Sequence, residues 1–202
     1  MARVSVQWDG ARVGAMVGAV GGLAFVLFNS WPLGDPWTNV LIGIGVLWFL
    51  WDVRAIMRVP EDPEAVRPDA RQMQAFWIVV ALEVVLIIGG TQLAIRVLDM
   101  PSASLPWVAT VLGVHWLVFR MVFRENVFLW LGCFTLACGV VGLMVALTGV
   151  AGEDTLAATT ITSGLLVGAV LLVAVGVDAG RRRQALLRRR PNQQPRGRST
   201  SA

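Results

Sequence analysis

Six apolar stretches divide this chain, and they constrain its fold more than any motif in it. They run over 13–28, 37–51, 75–95, 106–122, 127–150 and 156–177. A helix needs about 20 mainly apolar residues to cross the hydrocarbon of a bilayer, and about 17 suffice. The first two stretches are short by that measure, and their ends are expected to move by a turn. The expected fold class is therefore all-α, an integral membrane bundle of six transmembrane helices. The charged fraction agrees: it is 15%, whereas a soluble domain carries about 25%.

The breaks have physical causes. Trp31-Pro32-Leu33-Gly34-Asp35-Pro36 stops a helix with two prolines and a glycine. The segment from Arg54 to Gln72 holds four Arg, four acids and three Pro, a composition for water or headgroups. Asp99-Met100-Pro101-Ser102 ends the third stretch, Pro106 suits the first turn of the fourth, and 149–154 forms the last turn. Arg124-Glu125-Asn126 separates the fourth and fifth stretches by charge alone.

Arginine placement orients the spans. All 17 basic residues are Arg, and positive residues stay on the cytoplasmic side. With the N-terminus inside, Arg3, Arg12, Arg54, Arg58, Arg67, Arg71, Arg120, Arg124 and the tail arginines all face the cytoplasm, and only Arg96 lies outside. The outer turns instead carry Asp35, Asp99, Glu153 and Asp154. The expected organisation is a cytoplasmic N-terminus over 1–12, a membrane domain over 13–177 and a basic cytoplasmic tail over 178–202, partly disordered, with both termini inside. No small-x-small cleavage site precedes Trp31-Pro32, so the first span is expected to be retained; its cleavage would leave five helices and an outside N-terminus. Trp31, Trp37 and Trp107 fall at the outer interface and Trp51 and Trp77 at the inner one. Trp48, Trp116 and Trp130 lie deeper, where packing inside the bundle is the simpler explanation.

Inside lipid, helices associate through small residues that allow close approach. Gly14, Gly18 and Gly22 form a stripe on the first helix, and Gly164 and Gly168 lie on the sixth. Contact within one bundle is favoured over a homo-oligomer interface, because six helices already have to pack on one another. Cys133 and Cys138 point to different helix faces and read as small packing residues rather than a bridge.

Two ionisable residues lie deep in apolar spans, where a charge costs about 2.5–3.5 kcal/mol on insertion scales. Glu83 is roughly 12 Å inside the third span and His115 roughly 11 Å inside the fourth, at 1.5 Å per residue. A short loop joins these helices, so the two side chains are expected at similar depth. Their functional reading is a pair that binds or relays a proton; their structural reading is a polar contact that fixes the helices. Arg120 and Arg124, and the tail arginines Arg181, Arg182, Arg183, Arg188, Arg189 and Arg190, are candidate contacts for phosphates of anionic lipids, with snorkelling and topology as the alternative. The tail from Gly180 to Pro191 reads as a short amphipathic helix on the inner leaflet. Nothing aromatic is interleaved there to stack bases, so nucleic acid is not an expected partner. The hydroxyls Thr159, Thr160, Thr162 and Ser163 read as packing groups bonded to their own backbone or a neighbour.

No Gly-x-Ser-x-Gly elbow, His-Glu-x-x-His or phosphate-binding Gly-rich loop occurs. One His and two Cys do not make a zinc framework, and one His excludes paired imidazole ligation of a haem within the chain, so no metal or cofactor is expected. Gly113-Val114-His115-Trp116-Leu117, with Phe119-Arg120 and Phe123-Arg124, resembles a Gly-x-His-aromatic helix of uncharacterised small multi-helix bacterial membrane proteins. The resemblance covers about 20 residues and implies a multi-helix membrane fold without an activity to transfer. Abundant Arg with no Lys and no Tyr is a weak compositional sign of a GC-rich bacterial genome. The functional expectation is a multi-pass membrane protein, non-enzymatic, with a packing, scaffold or partner role in the bacterial inner membrane. A small proton-linked transporter using Glu83 and His115, or a membrane enzyme of unrecognised type, are the alternatives.

Overall fold

The computed structural model describes residues 10–60, 69–123 and 126–189. Helix α1 spans Gly10–Ser30, α2 Trp37–Met57, α3 Ala70–Gln92, α4 Ser104–Phe123 and α5 Asn126–Thr148. Helix α6, Thr155–Thr160, passes through a π-helical turn at Ile161–Leu165 into α7, Leu166–Arg189. Among the described residues there is no strand, and six helical segments are long and apolar enough to cross a membrane.

The local chemistry sets the ends. The polar segment that composition starts at Arg54 does not end the helix there: α2 runs on to Met57 because the first helix breaker is Pro60 and Arg is a good helix former. Helix α3 starts five residues before the apolar stretch, on a capping box. The Asp69 carboxylate accepts from the Gln72 N–H at 2.7 Å, and Gln72 Oε1 accepts from the Asp69 N–H at 3.0 Å. The tail is no separate surface helix: α6, the π turn and α7 form one rod from Thr155 to Arg189, about 50 Å at 1.5 Å per residue. Nothing between Gly164 and Arg189 breaks it.

Packing divides the bundle into two groups joined by the rod. Helices α1 and α2 pack on each other and on α7, and α4 and α5 form the most extensive pair. The central core joins Ala109, Trp116 and Phe119 of α4, Leu131 of α5 and Val167 and Leu171 of α7. A second core gathers Ala19, Ile56, Val175 and Ala179 from α1, α2 and α7. Helix α3 lies at the rim, chiefly against α4, and 6% of its apolar span is buried compared with 50% for the rod.

Glycines permit the tightest crossings. A Cβ on Gly22 would stand 3.1 Å from the Gly168 carbonyl, and one on Gly168 would stand 3.0 Å from the Gly22 carbonyl, so α1 and α7 meet backbone to backbone. Gly18 faces Val175, and Gly164 faces Asn29. Gly14 has nothing within 4 Å. Side chains on Gly113 or Gly139 would collide with the backbones of Leu136 and Thr110, which is what draws α4 and α5 together.

The tryptophans divide differently from the expectation. Trp116 is buried, but Trp130 is 76% exposed and faces away from the bundle. Trp107 bridges helices: its indole N–H donates to the Leu86 carbonyl at 2.8 Å, over Gly90, where any side chain would collide with the ring.

Candidate functional site

Helix α3 turns one stripe toward α4: Phe76, Val80, Glu83 and Gly90 follow at steps of four, three and seven, with Val79 beside them. Phe76 stacks on Phe119 with ring centroids 5.3 Å apart, and Trp107 reaches Leu86. These contacts set the antiparallel register and bring Glu83 level with His115. Glu83 Oε2 lies 2.8 Å from His115 Nδ1, with side chains 14% and 7% exposed. The oxygen stands off the axis of the ring N–H, so the contact is close without being a straight hydrogen bond. Aromatic rings enclose the imidazole: Phe119 at 4.0 Å and Trp116 at 5.4 Å between centroids. Trp116 stacks in turn on Phe128 of α5, so the imidazole is fixed through its neighbours to the central core.

A carboxylate and an imidazole at this separation can share one proton. With the proton on the ring they form an ion pair; with it on the acid they form a neutral contact. Two bare charges in an apolar slot would each need a partner, and here each supplies the other's.

The remaining candidates are dispersed. Arg120 lies in the last turn of α4. Arg181, Arg183, Arg188 and Arg189 are exposed on the end of α7, and Arg182 Nε donates to Asp178 Oδ2 at 2.6 Å. Arg124 and Arg190 lie outside the described residues. Both cysteines are free. Thr159 and Thr162 donate to Leu156 and Ala158 carbonyls of their own helix, and Ser163 crosses to the Cys138 carbonyl at 3.0 Å. Among the described residues no three His, Cys, Asp or Glu side chains gather as a metal site.

The chain matches no family model, no curated protein and no solved structure.

The seam between α2 and α7 holds a residue that no motif in the sequence singles out. Asp52 is fully buried, and neither of its carboxyl oxygens has a hydrogen-bond partner. It sits on α2 over Gly176 of α7, where an added Cβ would be 2.7 Å from Asp52 Oδ1. A second span ending at Trp51 and a polar segment starting at Arg54 leave Asp52 between the two, assigned to neither. The available signal was the absence of a breaker before Pro60, which carries the helix, and Asp52 with it, into the packed seam. Close by, Arg12 is buried as well and donates through Nη2 to the Val59 carbonyl at 2.5 Å. A cation there satisfies an acceptor left over at the end of α2.

Proposed function

We propose that this chain is a multi-pass integral membrane protein with both termini in the cytoplasm, acting without catalysis through packing and partner contacts in a bacterial inner membrane. The observation that carries the reading is the set of six apolar helices whose described arginines, Arg96 excepted, gather at one end of the bundle. Arg12, Arg54, Arg58, Arg71, Arg120 and the α7 arginines belong to that end, whereas the turns at 31–36 and 149–154 belong to the other. Arginine retention on the cytoplasmic side then gives the orientation. The α7 arginines stand at headgroup level and beyond, where anionic lipid phosphates attract each by about 1 kcal/mol. In this reading Glu83 and His115 hold the rim helix α3 in register on α4, and the outward apolar face of α3 meets lipid.

The test is site-by-site reporter tagging. Tags after Arg189 and within 61–68 are expected to report the cytoplasm, and tags at 34 or 152 the outer side. Reporter activity with the opposite pattern would overturn the orientation. Partition of the purified chain into plain buffer as a monomer would overturn the membrane reading altogether.

The 2.8 Å Glu83–His115 contact supports a second reading, a small proton-linked carrier centred on that pair. Glu83→Gln and His115→Ala would then abolish a proton-driven flux while leaving expression intact. Intact flux in both variants rules this reading out.

A further inference from the structure

We infer that Asp52, sealed between α2 and α7, is a second proton-binding site of the protein, separate from the Glu83–His115 pair. The residue is wholly buried and both carboxyl oxygens lack partners, so among the described residues no donor or cation supports a negative charge on it. Around it are Gly176, whose missing side chain leaves room for the carboxyl, and the ring of Trp51 stacked over the same glycine. One turn further on, Ile56 closes the seam against Ala19, Val175 and Ala179.

The charged groups of the neighbouring elements are engaged elsewhere or exposed, Arg58, Arg181 and Arg183 among the exposed ones. On α7, Asp178 is held by Arg182 at 2.6 Å. On α1, Arg12 donates to the Val59 carbonyl. On α2 itself, Arg54 is exposed. A metal cation needs several oxygen or nitrogen ligands, and among the described residues no third acidic, His or Cys side chain gathers here. The ligand that one isolated carboxyl can take is the proton. Asp52 stands five residues before the end of α2, so parting α2 from α7 there would release that proton to water at the arginine-rich end. The site goes beyond the packing role proposed above, and it lies in the half of the bundle that excludes Glu83.

Infrared spectroscopy of the protein in lipid nanodiscs at neutral pH tests the assignment. The difference spectrum between the parent chain and Asp52→Asn is expected to show loss of one protonated carboxylic C=O band that shifts on deuteration. The same band is expected to persist in Glu83→Gln. Loss of a carboxylate band, or no change, overturns the proposal. Should Asp52→Asn fail to fold, the parent chain made with carboxyl-¹³C aspartate gives the answer without mutation. Asp52 is the one buried Asp among the described residues, so an isotope-shifted protonated band supports the site, and aspartate intensity confined to carboxylate bands overturns it.

Discussion

Replacing Glu83 by Met and His115 by Leu, singly and together, measures how far the pair holds α3 in place. Each single change removes one partner and leaves the other polar group buried in an apolar slot, which costs about 1–3 kcal/mol. The double change leaves neither orphan, so it is expected to cost less than the sum of the singles. Interhelical polar contacts in membrane proteins couple by about 0.6 kcal/mol on average, with about 1.7 kcal/mol the largest in such cycles. The bent approach at 2.8 Å weakens this contact, but side-chain exposures of 14% and 7% remove most competing solvent. The expected coupling is about 1–1.5 kcal/mol, roughly a five- to twelvefold change in the unfolding equilibrium. Reversible unfolding in mixed micelles, followed by tryptophan fluorescence, supplies the four stabilities. A coupling within about 0.5 kcal/mol of zero, the level at which independent sites add, would refute the view that these side chains lock α3 to α4.

The glycine stripe makes a sharp contrast. Gly22→Leu forces a side chain against Leu172 and the Gly168 carbonyl and is expected to destabilise by about 1–3 kcal/mol; Gly14→Leu, with open space around it, is expected to stay within about 0.5 kcal/mol. Thermal unfolding in detergent compares the two, and equal effects would show that the contact of α1 with α7 is not tight. Trp107→Phe deletes the bond to the Leu86 carbonyl while keeping an aromatic body, for an expected loss of about 0.5–1.5 kcal/mol. Its signature is faster hydrogen exchange along the 86–97 segment, and unchanged exchange there would count against a bridging role. Asp178→Asn removes a surface pair whose side chains are 26% and 35% exposed; a stability change above about 1 kcal/mol would contradict its solvent-screened setting.

The six-helix organisation was legible because its determinants are local. Apolar length defines the spans, and Pro32, Pro36 and Pro101 interrupt them at places where a helix cannot continue. The meeting of Glu83 with His115 was also legible, since a short connection forces α3 and α4 antiparallel. What failed to show were ends and seams. Charge ends an apolar span but not a helix, because arginine propagates a helix well, so α2 runs to Met57 and α7 to Arg189. That continuation is what carries Asp52 into the seam. The close pairing of α4 with α5 depends on Gly113 and Gly139, which stand out in the chain less than the evenly spaced glycines of α1. The outward turn of Trp130 depends on which face of α5 meets α4, a tertiary choice that a uniformly apolar helix does not announce. The π turn at Ile161–Leu165 likewise has no proline to mark it.

The docking of the N-terminal hairpin on α7 has a consequence for how the protein is made. Helices α1 and α2 leave the ribosome well before the surface that receives them: Gly168 for Gly22, and Gly176 for Asp52. Until then the hairpin stands as a half-covered pair with an unsheltered carboxyl, while α4 and α5 close on each other within a few dozen residues of chain. Maturation of the whole therefore waits on translation of its C-terminal rod. Nascent chains halted before residue 164 are expected to be the species that membrane proteases degrade.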